Sequence, residues 1–216
     1  MKNRIFLLSP ANCGGIRAKR VVSDAAQFPL AEQLRTSAGA SLGEVFSFVS
    51  GLYFRGKLAY ARRFTCPPDP TDRVVAGGIL VITPNAGLRA ADVAVTRESI
   101  QAFAGEPIEL TNDRYRRPLE QGARALGASI GPDCDVVLLG SIATGKYVDV
   151  LLENFQHRLL FPADFVGRGD MSRGGLLLRC AVDKTELRYI SVVGAVRSGK
   201  RPPKLTPRRY VSSSRA

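Results

Sequence analysis

Three short runs of apolar residues constrain the fold more than any other feature of the chain. They are Ile5-Phe6-Leu7-Leu8, Ile79-Leu80-Val81-Ile82 (opened by Gly78) and Val136-Val137-Leu138-Leu139. Runs this short and this apolar predict strands buried inside a sheet. Each gives way to small and polar residues: Ser9-Pro10-Ala11-Asn12, Thr83-Pro84-Asn85-Ala86-Gly87-Leu88 and Gly140-Ser141-Ile142-Ala143-Thr144-Gly145-Lys146-Tyr147. Helical spacing fills the intervals. Ser41 with Glu44 forms a capping-box pattern ahead of Leu42, Val45, Phe46 and Val49. A second amphipathic helix is expected from Tyr53 to Phe64, closed by Pro67-Pro68-Asp69-Pro70. Further helices are expected at Leu30–Arg35, Thr96–Phe103, Asp113–Leu126 (regular only from Pro118) and Tyr147–Asn154, with a short strand at Leu159–Phe161.

Strands alternating with helices predict an α/β fold, a single mixed domain with a mainly parallel central sheet flanked by helices. Beyond Gly174 the period changes. Leu176–Val182 and Glu186–Val193, separated by Asp183-Lys184-Thr185, predict a C-terminal β-hairpin. The expected division is a domain over 1–196 and a basic, disordered tail over 197–216.

Charge separates these parts. The chain of 216 residues has 31 Lys and Arg against 19 Asp and Glu, a net +12. Seven basic and no acidic residues lie from Arg197 to Ala216, which leaves +5 for the domain. Such an excess suits a polyanionic partner, held through salt-sensitive phosphate contacts. The candidate nucleic-acid contacts are Arg55 and Lys57, on a helix with interleaved Tyr53, Phe54, Tyr60 and Phe64; Arg116 and Arg117; and Lys200, Arg201, Lys204, Arg208 and Arg209 of the tail.

In parallel sheets ligands sit at the carboxyl ends of the strands. Ser9, Asn12, Asn85 and Ser141 all lie just past a strand, and Lys146 and Tyr147 open the next helix. Any of these turns is also explained by Ser and Asn as turn formers; their shared edge makes them candidate ligand contacts. The segment Gly167-Arg168-Gly169-Asp170-Met171-Ser172-Arg173-Gly174-Gly175 reads as a flexible loop in which Arg168 and Arg173 can grip phosphate or carboxylate. Asp113, Asp170 and Ser141 are the candidate catalytic residues, the aspartates for proton transfer. No Walker, metal-ligand or Ser-His-Asp pattern is present, so no metal and no cofactor is expected. Cys13, Cys66, Cys134 and Cys180 are widely spaced, which with one histidine argues against a Cys/His zinc site and for reduced thiols in the cytoplasm. Cys13, in the turn Asn12-Cys13-Gly14-Gly15, reads as a partly exposed thiol. Ser9-Pro10 cuts the first apolar run short of a secretory signal, and no segment reaches membrane-spanning length.

Several of these segments together resemble the YaaA-type family of bacterial proteins linked to peroxide stress. Leu8-Ser9-Pro10-Ala11 is similar to that family's opening motif and Gly87-Leu88 to its Gly-Leu turn. Gly140-Ser141 through Tyr147 and Arg168-Gly169-Asp170-Met171-Ser172-Arg173 are similar to its late motifs. The chain departs from the family in a longer Ser-to-Tyr spacing, in Cys13-Gly14-Gly15 and in the basic tail. The resemblance implies an α/β fold and a DNA-binding or nucleic-acid-damage-related role. Two functions follow as expectations: a nucleic-acid (DNA) binder with a phosphate cleft, or an enzyme acting on a nucleotide, nucleoside or other phosphorylated small molecule in the same cleft.

Overall fold

A computed structural model describes residues 2–143, 145–197 and 199–206. In chain order the elements are β1 (Arg4–Leu8), α1 (Ile16–Val21), α2 (Pro29–Leu34), β2 (Ala40–Ser41), α3 (Leu42–Ser50) and α4 (Leu52–Phe64). Next come β3 (Ile79–Ile82), β4 (Leu88–Ala90), β5 (Ala94–Val95), α5 (Arg97–Ala104) and α6 (Asp113–Ile130). The C-terminal part holds β6 (Asp135–Leu139), α7 (Gly145–Phe155), β7 (Leu159–Pro162), α8 (Asp170–Asp183) and β8 (Tyr189–Ser191).

The fold is α/β, with a six-stranded sheet in the order β4-β3-β1-β6-β7-β8. The three apolar runs are the neighbours β3, β1 and β6, all parallel, and β7 extends them in parallel beside β6. The edge strands β4 and β8 pair antiparallel. Ile5 through Leu8 and Val136 through Leu139 are wholly buried, which explains why both runs lack alternation. The register sets Leu8 opposite Leu139 and Val81, so the turns after β1, β6 and β3 leave the sheet side by side. The Ser9 amide bonds to the Leu139 carbonyl across the first of these exits at 3.2 Å.

Helix α4 packs on β1 and between α3 and α8, while α6 and α7 pack together. The α4–α8 contact, the largest between helices, is built on two glycines. A Cβ on Gly56 would lie 2.5 Å from the Gly174 carbonyl oxygen, and one on Gly174 would lie 2.7 Å from the Leu52 carbonyl oxygen. Only hydrogen at both positions lets the two backbones touch.

That crossing overturns two expectations. The glycine-rich stretch from Asp170 is the first half of α8 and not a flexible loop; only Gly167 to Gly169 precede the helix. The weak helix propensity of Gly174 and Gly175 is overridden by the packing of Gly174, Leu177 and Cys180, spaced by three on one buried face. Leu176–Val182 is therefore helix rather than the first arm of a hairpin. Its supposed turn is the helix cap, with Lys184 left-handed and the Thr185 amide bonded to the Cys180 carbonyl. An antiparallel C-terminal pair does form, between β7 and β8, with Phe161 opposite Ile190.

Smaller differences have local causes. The Ser41 hydroxyl donates to the Ala91 carbonyl instead of capping α3. Helix α6 begins at Asp113, ahead of Pro118, because Asn112 caps it by accepting from the Arg114 amide. Three described tail residues lie near the segment around α8. The Lys200 carbonyl approaches Gly167, Arg168 reaches the Pro203 carbonyl, and Leu205 lies against Gly175.

Adjacent glycines give a direct test of the crossing. Gly174→Ala should cost about 1–3 kcal/mol. Gly175→Ala, whose added methyl meets nothing nearer than Leu205 at 3.6 Å, should be neutral or gain up to about 1 kcal/mol from helix propensity. Urea midpoints that coincide for the two variants would remove the crossing from this account.

Candidate active site

Ser9 follows β1 and Gly140 follows β6, so the two residues face each other at the carboxyl edge of the sheet. A Cβ on Gly140 would fall 2.8 Å from the Ser9 Cβ and 2.9 Å from the Tyr147 hydroxyl. Glycine there leaves the space in which Ser9 and Tyr147 meet. Tyr147, buried in the first turn of α7, donates to the Ser141 carbonyl at 2.9 Å and also bonds the Ser9 side chain. Burial raises its pKa, and the Ser9 and Ser141 bonds oppose that rise.

Lys57 closes the site from α4. Its Nζ donates to the Ser9 carbonyl at 2.6 Å and to Ser9 Oγ at 2.9 Å, and it lies 4.6 Å from the ring centroids of both Tyr53 and Phe54. The side chain is 1% exposed, and among the described residues no carboxylate lies within ion-pair distance of it. Desolvation is the dominant influence and lowers its pKa from 10.5 to about 7; Asp170 pulls it up and Arg173 pushes it down. The amine is therefore available as a base near neutral pH.

Three further side chains complete the cluster. Arg173 of α8 gives Nε and Nη2 to the Phe165 carbonyl at 3.3 and 3.0 Å, with Nη1 3.6 Å from Asp170. By distance and angle the buried hydroxyls of Tyr53 and Tyr115 have no hydrogen-bond partner among the described residues, although the Arg173 guanidinium lies beside that of Tyr53. Burial raises the pKa of both phenols; Arg173 offsets it at Tyr53, and Tyr147 adds to it at Tyr115. Buried phenol groups left unsatisfied are costly in a finished core, and both belong to the electrostatic neighbourhood of Tyr147.

The expected site residues divide accordingly. Ser9, Tyr147 and Arg173 come together, with Asp170 on the outer rim, its side chain 69% exposed. Ser141 contributes its carbonyl, while its hydroxyl accepts from the Ala143 amide as a turn former, so the catalytic role expected of that hydroxyl is not supported. Asn12 is likewise exposed and tied to the Gly14 amide. Asn85 donates to the Ala102 carbonyl and lines a different cleft with Arg89 and Phe103. Lys146 points to solvent. Arg168 bonds the Asp164 carbonyl and Ser172 in a groove beside the tail. Asp113 lies on the surface of α6, paired with Arg116 and Arg117; Arg116 foremost holds its carboxyl below the usual range. Those two arginines are partly neutralised in return, Arg116 by Glu120 as well. Cys13 is buried, not partly exposed, and burial pushes its thiol up to about 12, far from a reactive thiolate. Among the described residues no cysteine is joined in a disulfide. Lys200, Arg201 and Lys204 are exposed; Arg208 and Arg209 lie outside the described residues.

Lys57 is the largest correction. Its place among Arg55, Arg62 and Arg63 suggests a solvated cation, yet it falls on the buried stripe of α4, four residues after Tyr53 and three before Tyr60. That spacing is the sequence signal that separates it from its exposed neighbours.

Because the folded pKa of Lys57 lies below the free value, the unfolded chain holds the extra proton between pH 7 and 10.5. Stability attributable to this group therefore rises with pH across that window. Between about pH 7 and pH 9 the wild type should gain on Lys57→Met by up to about 1.4 kcal/mol per pH unit, read from urea unfolding. Parallel responses would mean an ordinary lysine.

No described helix is long and apolar enough to cross a membrane. The chain matches no protein-family model, no curated protein and no solved structure.

Proposed function

We propose that the chain is an enzyme in which Lys57 activates Ser9 as a nucleophile toward a phosphate-bearing substrate, a nucleic acid or a nucleotide. One observation carries this reading: a fully buried lysine with no carboxylate partner among the described residues, its amine 2.9 Å from a serine hydroxyl at the carboxyl edge of the sheet. A lysine buried for stability alone would be better replaced by an apolar side chain. Depressed pKa and nucleophile contact together are what general-base activation of serine requires. The neutral amine accepts the Ser9 hydroxyl proton as Oγ bonds to the electrophilic centre. The bond to the leaving group then breaks, and the Lys57 ammonium returns the proton to it. Tyr147 orients Ser9, and the hydroxyls of Tyr53 and Tyr115, with Arg173, are donors for the substrate's oxygens.

The segments that resemble the YaaA-type family supply Ser9, Gly140, Tyr147 and Arg173 to this one cluster, which supports a nucleic-acid-related role. Cysteines that are widely spaced and form no disulfide among the described residues support a reducing compartment such as the cytoplasm.

The reading is tested with a small alkyl fluorophosphonate, which reports activated serine without knowledge of the substrate. Ser9 should be labelled, as located by peptide mass spectrometry. The rate should climb with pH to a plateau, with a midpoint near the pKa of about 7 expected for Lys57. Ser9→Ala and Lys57→Met should both abolish labelling. An unlabelled Ser9, or an unchanged rate in Lys57→Met, would overturn the proposal.

A second reading, nucleic-acid binding without turnover, is favoured by a separate groove of about 320 Å³. Arg168, Arg179, Arg201 and Lys204 line it, and no carboxylate does. On this reading duplex DNA binding, followed by fluorescence anisotropy, should weaken steeply with salt and be lost when 197–216 is deleted. Binding indifferent to salt would eliminate it.

A further inference from the structure

Away from the Ser9 cluster, α1 and the α3–α4 junction enclose a cleft of about 490 Å³ lined by Arg17, Arg20, Ser47, Phe48, Gly51 and Arg55. None of its three arginines has an ion-pair partner among the described residues. Their convergence is built in. The Arg17 guanidinium lies over Gly51, where any Cβ would overlap it. Arg20 sits 5.9 Å from the centroid of Phe28, and Phe28 stacks on Phe48 at 5.2 Å with an interplanar angle of 26°. Phe48 is half-buried and forms the apolar wall of the cleft.

Three like charges facing one cleft repel each other, and no acid among the described residues lines it or pairs with them. An anion with several oxygens supplies what the lining lacks, because guanidinium groups bind phosphate in bidentate fashion. The aromatic wall narrows the class further. A flat face beside phosphate-binding arginines suits a base that is free to stack, and bases are free only in unpaired strands. We propose that this cleft binds single-stranded nucleic acid, with the backbone phosphates on Arg17, Arg20 and Arg55 and a base against Phe48. The inference rests on the reading that the substrate is phosphate-bearing, and it selects the single-stranded polymer over a free nucleotide or a duplex. Helix α4 serves both sites: Arg55 faces this cleft, and Lys57, about 200° further around the helix, faces Ser9.

The test uses the full chain, fluorescein-labelled oligothymidylate of about 12 nucleotides, a duplex of the same length and an abasic strand. Anisotropy is followed between about 50 and 200 mM salt. Oligothymidylate should bind more tightly than the duplex. The triple variant Arg17→Ala, Arg20→Ala, Arg55→Ala should bind at least about tenfold more weakly, and its log–log salt slope should fall by about 2, three contacts at about 0.7 each. Phe48→Leu should weaken oligothymidylate by about five- to a hundredfold and leave the abasic strand unchanged. The control Arg62→Ala, Arg63→Ala, Arg124→Ala removes the same charge from exposed positions elsewhere and should have little effect. An equal loss in the control, tighter binding of the duplex, or complete loss on deletion of 197–216 would each overturn the assignment. Fluorophosphonate labelling of Ser9 should be the same in every variant, so failure here is separable from failure of the Ser9–Lys57 proposal.

Discussion

The contact of α4 with α8 at Gly56 and Gly174 is the constraint on which the candidate site depends. Backbone against backbone is the closest approach two helices can make, and it fixes both the height and the rotation of α4 over the sheet. From that position the side chains around Gly56 are determined: Tyr53, one turn before it, and Lys57, the residue after it, enter the interior beside β1. The same crossing carries Arg173, the neighbour of Gly174, into the cluster. A larger residue at the crossing would move the amine, the phenol and the guanidinium together, not one at a time.

Placed there, Lys57 sits in an environment with opposing demands. Loss of water disfavours its charge, whereas the Ser9 carbonyl and two aromatic faces favour it. An amine balanced in this way changes protonation with little driving force. On the proposed reading, that property serves proton transfer to and from Ser9. The lack of a carboxylate partner among the described residues has the same sense, since an ion pair would hold the lysine charged well above neutral pH.

The sheet was legible in the sequence because the property that makes a buried parallel strand, uninterrupted apolar character, is local. β1, β3 and β6 and the polar turns at their ends follow from it, and with them Ser9 and Tyr147. What could not be read locally depends on partners distant in the chain. Gly174 and Gly175 look like a loop until Gly56 is known to lie against Gly174, and Leu176–Val182 looks like a strand until its buried spacing is set by α4. Asp113 looked catalytic by residue type, yet two arginines one turn away hold it on the surface. Lys57 was obscured by the charge of its neighbours, although its spacing from Tyr53 and Tyr60 marks it as interior.

The distance in sequence between Gly56 and Gly174 also bears on how the molecule is assembled. In the unfolded chain the amine of Lys57 is hydrated and protonated as in any free lysine; in the fold, Ser9, the rings of Tyr53 and Phe54 and the packing of α8 on α4 exclude water from it. Docking strips that hydration, and above neutral pH the ammonium gives its proton to the solvent. Above neutral pH, folding is thus a proton-releasing reaction, and the release is tied to contact between segments distant in the chain. The chemistry of the amine and the completion of the fold are acquired in the same event.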